Sequence, residues 1–449
     1  MNNTNIEFVN HASVLITHNN IGILSDPWYR GPVFHNGWRL IHEKKETEII
    51  NILKKTTHIY ISHEHPDHFD ISFFNNSKNI EILKKNNIKV IFQFTKDKRV
   101  INFLKSKDII VYEFKKDELV NLSEDVTARI VKHDFYDSSL AITTPDTKIL
   151  NLNDAPMRTN NQIKSFKKKY GNFDILLTQF SYAAWKGGKK NKLYREQAAM
   201  EKISHIEKQA NILNCKAVIP FASFIYFSNE LNFYMNDSIN TPGSLKKYFS
   251  EKHYRYDVIF FEPGEVQNVN NLKQNDKSIN FWNEEYKNLD FKKKDRYLES
   301  ISEENLKSHF TAYKKKIFKK NSKFLIYFLN KTKIFGLFQP INIYLHDHKK
   351  KYTYSVLQGL VYDSDAITDI SMHSKSLSFI FKNEFGFDTL SVNGCFESSV
   401  NGFSKSAKTL SIGSLNALGF NLSLSLFFKP SLIFLFFSKV KKIMNNIDD

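Results

Sequence analysis

"ISHEHPDHFD" (Ile61–Asp70) sets three histidines, a glutamate and two aspartates within one short stretch, directly after the β-branched and aromatic run "THIY" (Thr57–Tyr60). A charged cluster where a buried strand ends has three readings: a metal site, an acid/base pair without metal, or a polar solvated loop. In an extended segment His63 and His65 share a face, because strand side chains alternate sides. Asp67 and His68 follow Pro66 in a turn and can serve a second centre close by. Imidazoles together with a carboxylate are the donor set of Zn, and also of Fe or Mn. "HEHPD" also contains half of the HExxH zinc-peptidase signature. That reading fails, because Asp67 replaces the second histidine and Pro66 obstructs the helix the signature needs.

A single cluster supplies only part of a metal site, so further ligands are expected at other strand ends. His133 closes "VTARIVKH" ahead of the turn "DFYDSS", and Asp154 closes "TKILNLND". Beside the cluster, both read as metal ligands. His11, in "VNHASVLI", is either a core histidine or a residue that orients a ligand. Asp26, in "SDPW", either caps its turn or orients a ligand histidine. Glu64 and Asp70 read as bystanders.

The H-x-H-x-D-H pattern of His63, His65, Asp67 and His68 resembles the hallmark of the metallo-β-lactamase superfamily. The resemblance implies a four-layer αββα sandwich with one or two divalent metals at one edge. It also implies a later histidine and a bridging aspartate, the contexts that His133 and Asp154 occupy. A narrower likeness runs in order through "NHASVLITHNNIGILSDPWYRGPVF", "ISHEHPDHFD", "DSSLAITTPDTKILNLNDA", "LLTQFSYAAW" and "IPFASFIYFS". These segments resemble the branch that holds the CMP-N-acetylneuraminate hydroxylase-like, ascorbate-6-phosphate lactonase-like and N-acylphosphatidylethanolamine phospholipase D-like proteins. Two departures stand out. Where many superfamily hydrolases carry a last histidine ligand, "VIPFASF" offers Ala222 and Ser223. The hydroxylase branch also relies on a Rieske cluster, whose paired Cys and His ligands this chain lacks.

The chain has 449 residues, 41% hydrophobic and 25% charged, with 40 Phe and 20 Tyr. That length suits two or more domains with real cores. Residues 1–268 read as the metal-binding α/β domain, short hydrophobic strands alternating with a few helices. Residues 269–449 read as a helical linker and a smaller C-terminal α+β domain, for which a sterol-carrier-like module is the only analogue offered. "IEFVNHASVLIT" and "IGILSDPW" read as two strands of a hairpin, and "DAITDISMHSKSLSFIF" and "FDTLSVNGCFES" as strand-like. "WKGGKK" (Trp185–Lys190) reads as a solvated loop rather than a phosphate grip, and "HDH" (His346–His348) as a hairpin edge.

The net charge of +17 favours an anionic partner, although lysine is spread along the whole chain. No nucleic-acid-reading motif appears, so nucleic acid is not an expected partner. Cys215 and Cys395 cannot build a disulfide framework or an iron–sulfur site. With a polar N-terminus lacking a signal-peptide plan, they point to the cytoplasm. The apolar run Leu422–Phe437 is broken by Lys429 and Pro430 and is too short to span a bilayer. Followed by "SKVKK", it leaves peripheral membrane contact as an option.

Three functions follow. The first is a metal-dependent hydrolase in which a metal-held hydroxide attacks a small anionic substrate of phosphoester, lactone or nucleotide-sugar type, with Asp67 as the catalytic proton shuttle. The second is a non-haem iron oxygenase served by a separate electron-transfer partner. The third is a degenerate, non-catalytic binding protein.

Overall fold

A computed structural model describes residues 3–133 and 136–423. Two seven-stranded sheets lie face to face. The first runs, in spatial order, Val266–Asn268, Thr4–Asn10, Ser13–His18, Ile21–Ser25, His58–Tyr60, Lys89–Gln93 and Ile110–Phe114. The second runs Asp257–Val258, Ala217–Phe221, Ile175–Gln179, Lys148–Asn153, Ser138–Thr143, Thr127–Lys132 and Leu119–Asn121. Each sheet is half antiparallel and half parallel. The first turns parallel from Ile21–Ser25 onward, and the second is parallel from Asp257–Val258 as far as Lys148–Asn153.

The inner faces of both sheets carry Ile, Val, Leu and Phe, among them Ile16, Ile23, Ile91, Ile130, Ile142, Leu150 and Leu176, in one continuous core. Each such side chain, fully buried, stabilises the fold by roughly 1.5–3 kcal/mol. Outside the first sheet, helices Glu46–Lys54, Ser77–Lys85 and Arg99–Lys105 bury Leu53, Leu83 and Leu104 against Leu24, Ile59 and Val90. Outside the second lie Asn160–Tyr170 and the long Lys192–Leu213. This is the four-layer αββα sandwich that the motif's resemblance implied. The helix Asp276–Lys287 packs onto the same domain, with Trp282 stacked on Phe224 at 4.1 Å between ring centroids.

The C-terminal part has its own five-stranded sheet, ordered Gly359–Tyr362, Lys350–Ser355, Ile341–Leu345, Ile370–Met372 and Phe396–Ser398. Its helices Glu303–Lys320, Ser374–Lys382 and Val400–Leu410 share a second core with Trp28, Phe34, Trp38 and Trp185 of the first domain. The two domains are therefore fused by an apolar seam.

Several local expectations need correction. "IEFVNHASVLIT" is not one strand: it splits into Thr4–Asn10 and Ser13–His18 at His11, whose φ is +36°. Much of "DAITDISMHSKSLSFIF" is the helix Ser374–Lys382, because Leu377, Ile380 and Phe381 fall on one buried helical face and His373 caps it through Nδ1. Most of "FDTLSVNGCFES" is the helix Gly386–Asn393, ended by Gly394 at φ +67°. "WKGGKK" is not a solvated loop. Trp185 is buried and stacks on Phe403 at 4.7 Å, while the Gly188 carbonyl accepts a hydrogen bond from the buried Arg195 guanidinium. Among the described residues no helix is long and apolar enough to cross a membrane. The run Leu422–Phe437 lies outside the described residues from position 424 onward.

Candidate metal centre

The cluster sits where the parallel strands of both sheets end, the edge at which such sheets place ligands. Strand His58–Tyr60 delivers Ser62, His63, His65, Asp67 and His68; Lys148–Asn153 delivers Asn153 and Asp154; the turns at His11 and Asp26 come from the antiparallel half. His11, Asp26, Asn153 and Ala222 all have positive φ, at 36°, 38°, 60° and 53°. Left-handed backbone is uncommon outside glycine and clusters at functional sites. Here it turns four strand ends inward together. The Ala222 N–H donates to the His11 carbonyl at 2.7 Å, which ties two of these turns to each other.

Two groups of donors converge. His63, His68 and Asp154 form one; His11, Asp67 and His68 form the other, and His68 is common to both. His68 Nε2 lies 3.1 Å from Asp67 Oδ2 and 3.7 Å from Asp154 Oδ2. His63 Nδ1 lies 3.9 Å from Asp154 Oδ1, and His11 Nε2 lies 3.4 Å from Asp67 Oδ2. His65 joins through His63, its Nδ1 being 2.8 Å from His63 Nε2. Phe34 presents an edge to the His65 ring at 5.9 Å, which brings the interdomain seam to the rim of the site.

Asp26 organises the floor. Its Oδ1 accepts the Ser62 N–H at 2.7 Å, and its Oδ2 accepts the Ser62 hydroxyl at 2.8 Å and the Asn153 amide. The same oxygen lies 3.1 Å from His68 Nδ1. A carboxylate at Nδ1 places the proton there and leaves Nε2 as the ligating nitrogen. Asn153 and Ser62 belong to this network, and sequence reasoning missed both. The only signal was their place directly beside Asp154 and His63.

Burial first, and then the nearby His68 and His65 against the pull of Asp154, holds the His63 imidazole well below its usual value, so it is neutral and able to ligate. Burial pushes His68 the same way, but Asp67, Asp154 and Asp26 outweigh it and raise that imidazole well above the ordinary range. Burial would lift Asp67 and Asp154; His68 and His11 hold the first well down, and His63 and His68 lower the second. Both carboxylates are thus anionic at neutral pH. Among the described residues, His11 Nδ1, Asp67 Oδ1 and Asp154 Oδ1 are buried without a hydrogen-bond partner. Orphaned carboxylate oxygens are costly in a dry site. The donor set fits one or two divalent cations.

The remaining positions divide cleanly. His133 Nε2 pairs with the Ser139 hydroxyl at 2.8 Å and its ring stacks on Phe166, so the structure does not bring it into either group of donors. Glu64 binds Arg99 at 2.8 Å, and Asp70 caps the helix Ile71–Asn75 through the Ser72 N–H. At the place of the absent last histidine, the Ser223 hydroxyl accepts the Phe180 and Ser181 N–H groups at 3.1 and 3.0 Å. That position holds neighbouring strand ends together and offers no metal donor.

Residues 5–206 match the beta-lactamase superfamily domain. Among curated proteins, the cytidine monophosphate-N-acetylneuraminic acid hydroxylase of Asterias rubens is 35% identical over 82 residues, 18% of this chain and 12% of that protein. The hydroxylase of Mus musculus is 38% identical over 63 residues, 14% of this chain and 11% of that protein. The chain thus spans only about a tenth of the length of these relatives. Among solved structures, a metallo hydrolase from Ignicoccus hospitalis aligns with 59% of this chain and 97% of its own, at 13% identity and a TM-score of 0.40. The diiron β-hydroxylase CmlA from Streptomyces venezuelae aligns with 60% of this chain and 54% of its own, at 12% identity and a TM-score of 0.39.

Proposed function

We propose that this chain, whose residues 5–206 are a beta-lactamase superfamily domain on an enzyme fold of the metallohydrolase type, is a metal-dependent hydrolase of a small anionic substrate. Phosphoester, lactone and nucleotide-sugar substrates fit that description. The observation that carries the reading is the pair of donor groups sharing His68, with orphaned oxygens on Asp67 and Asp154.

His63 and Asp154 would hold one cation and His11 and Asp67 a second, with His68 common to both donor groups and His65 beside His63; Zn is the best match to this nitrogen and oxygen set, with Fe or Mn as alternatives. A bound cation supplies Lewis acidity toward water and toward a phosphoryl or acyl oxygen. The protein's own contribution is orientation and proton handling. Asp26 fixes the His68 ring, and Ser62 fixes Asp26. Asp67 Oδ2 is engaged by His11 and His68, while its anionic Oδ1 stays available to accept a proton from an attacking water. The fused C-terminal domain walls one side through Phe385, whose ring lies 5.8 Å from Tyr136 and 4.9 Å from the Arg99 guanidinium. A basic surface of net charge +17 draws anions toward the opening.

Metal analysis of anaerobically purified protein, paired with assays on phosphodiesters, lactones and nucleotide sugars, tests the reading. Zinc together with hydrolysis supports it. Two irons with O₂ uptake would replace it with oxygenation, the reading favoured by the hydroxylase relatives. Oxygenation would also need an electron donor, which the buried, free Cys215 and Cys395 do not supply.

A further inference from the structure

The helix Lys323–Thr332, "KFLIYFLNKT", is apolar on two faces. Leu325 and Ile326 are buried, and Leu329 packs against the C-terminal core. The opposite face carries Phe324, Tyr327 and Phe328 at i, i+3 and i+4, which are 67%, 51% and 42% exposed. The adjoining turn Ile334–Gly336 adds Ile334 and Phe335, the latter 63% exposed. Phe324 and Phe328 stack on each other at 6.4 Å, so the outer face is a contiguous aromatic strip. A helix that is apolar all round is ordinarily buried, so this face calls for a covering phase or partner.

Charge selects the partner. Nine lysines and no aspartate or glutamate lie between Glu304 and Asp347. Lys323 sits 6.0 Å from the Phe318 ring and Lys331 5.8 Å from Tyr327, so the ammonium groups flank the aromatics. Of the others, Lys320 is offset by Glu384, and Lys314 binds the Leu357 carbonyl. Aromatic side chains fringed by lysines whose apolar stems lie along the surface form the pattern of a helix resting in a headgroup layer. Cations at that depth are drawn to anionic lipid.

We infer that the face formed by Phe324, Tyr327, Phe328, Ile334 and Phe335 docks on an anionic lipid surface, with Lys323, Lys331 and Lys333 contacting the headgroups. The helix lies in the interface and does not span it, since ten residues reach only about 15 Å. This places membrane contact on an element distinct from the metal centre, and it holds whatever reaction that centre performs.

The full-length protein is sedimented with vesicles of phosphatidylserine and phosphatidylcholine, and with phosphatidylcholine alone. Binding is expected to the anionic vesicles and to fall at high salt. The double variant Phe324→Ser/Phe328→Ser should lose at least about tenfold in partitioning, the direction set by losing two buried aromatics from the interface. Lys323→Glu/Lys331→Glu should weaken binding to anionic vesicles, and it keeps the inference testable should the aromatic variant misfold. Absence of binding, or equal binding by wild type and both variants, overturns the inference. So does lipid-free self-association of the wild type that Phe324→Ser/Phe328→Ser abolishes, which would make the face a contact between copies of this chain.

Discussion

Two His/Asp clusters in this molecule look alike in sequence and differ in how their polar atoms are used. "HEHPDH" (His63–His68) ends a strand of the first domain, and "HDH" (His346–His348) ends a strand of the second. In the second, Asp347 accepts the Ser374 N–H at 2.9 Å and its hydroxyl, His348 Nε2 lies 2.8 Å from the Ile301 carbonyl, and His373 Nδ1 caps a helix. These groups are spent on backbone and close a hairpin. In the first, the ring nitrogens and carboxylate oxygens face one another, and Asp67 Oδ1 and Asp154 Oδ1 have no hydrogen-bond partner among the described residues. Spacing alone does not separate a ligand set from a capping set; the unsatisfied atoms do.

The largest difference is expected on removing the shared ligand. His68→Ala should abolish stoichiometric metal and lower kcat/KM by at least ~10³, the scale of losing a preorganised charge-stabilising element. Asp347→Ala should leave metal content unchanged and instead cost about 1–3 kcal/mol of stability by orphaning the Ser374 N–H. Elemental analysis and denaturant melts of both variants decide the matter. Equal metal loss in the two would erase the distinction.

Next in size is the support beneath the ligands. Asp26 touches no candidate cation position except through His68, Ser62 and Asn153, so Asp26→Asn should lower metal affinity about 10- to 100-fold while leaving binding measurable. Competition against a chromogenic chelator reads this directly. An unchanged affinity would mean that His68 needs no orienting carboxylate. Chelation itself sharpens the same contrast. Restoring metal at 100 times its dissociation constant should stabilise wild type and Asp347→Ala by about 2.7 kcal/mol and His68→Ala by nothing. A shift in the His68 variant would place the binding elsewhere.

The contrast also explains what was legible in the sequence. Alternating hydrophobics ending in His and Asp marked most strands of the sandwich, because each strand is short and bounded by polar turns. His63, His65, Asp67 and His68 were legible because their spacing reports directly on one loop. Asn153, Ser62 and the turn at His11 were not, since their roles depend on left-handed backbone and on contacts as distant as Asp26 to Asn153. His133 shows the converse: a histidine at the right strand end whose ring stacks on Phe166 and whose Nε2 is taken by Ser139. The helix Ser374–Lys382 reads as a strand because Leu377, Phe379 and Phe381 recur at every second position, a strand period that its serines do not contradict, while the buried Ile380 and Phe381 belong to a helical face.

The smallest expected effect tests how the two regions are joined. His35 lies in the seam, stacked on Phe379 at 4.3 Å and 3.1 Å from the Tyr297 hydroxyl, and Phe34 beside it reaches the His65 ring. Burial first, then the charges of Lys375 and His373, lowers the His35 imidazole to about 4. A histidine whose folded value lies below its ordinary 6.5 stabilises the fold fully above pH 6.5, and that contribution is lost as pH falls toward 4. The loss is at most about 1–2 kcal/mol once partial exposure is allowed for. His35→Asn, which tolerates the φ of +54°, should remove this acid sensitivity while leaving metal content intact. Melting temperatures of variant and wild type should therefore diverge at pH 7.5 and approach each other at pH 5; a constant gap would mean that the seam is held by its apolar contacts alone.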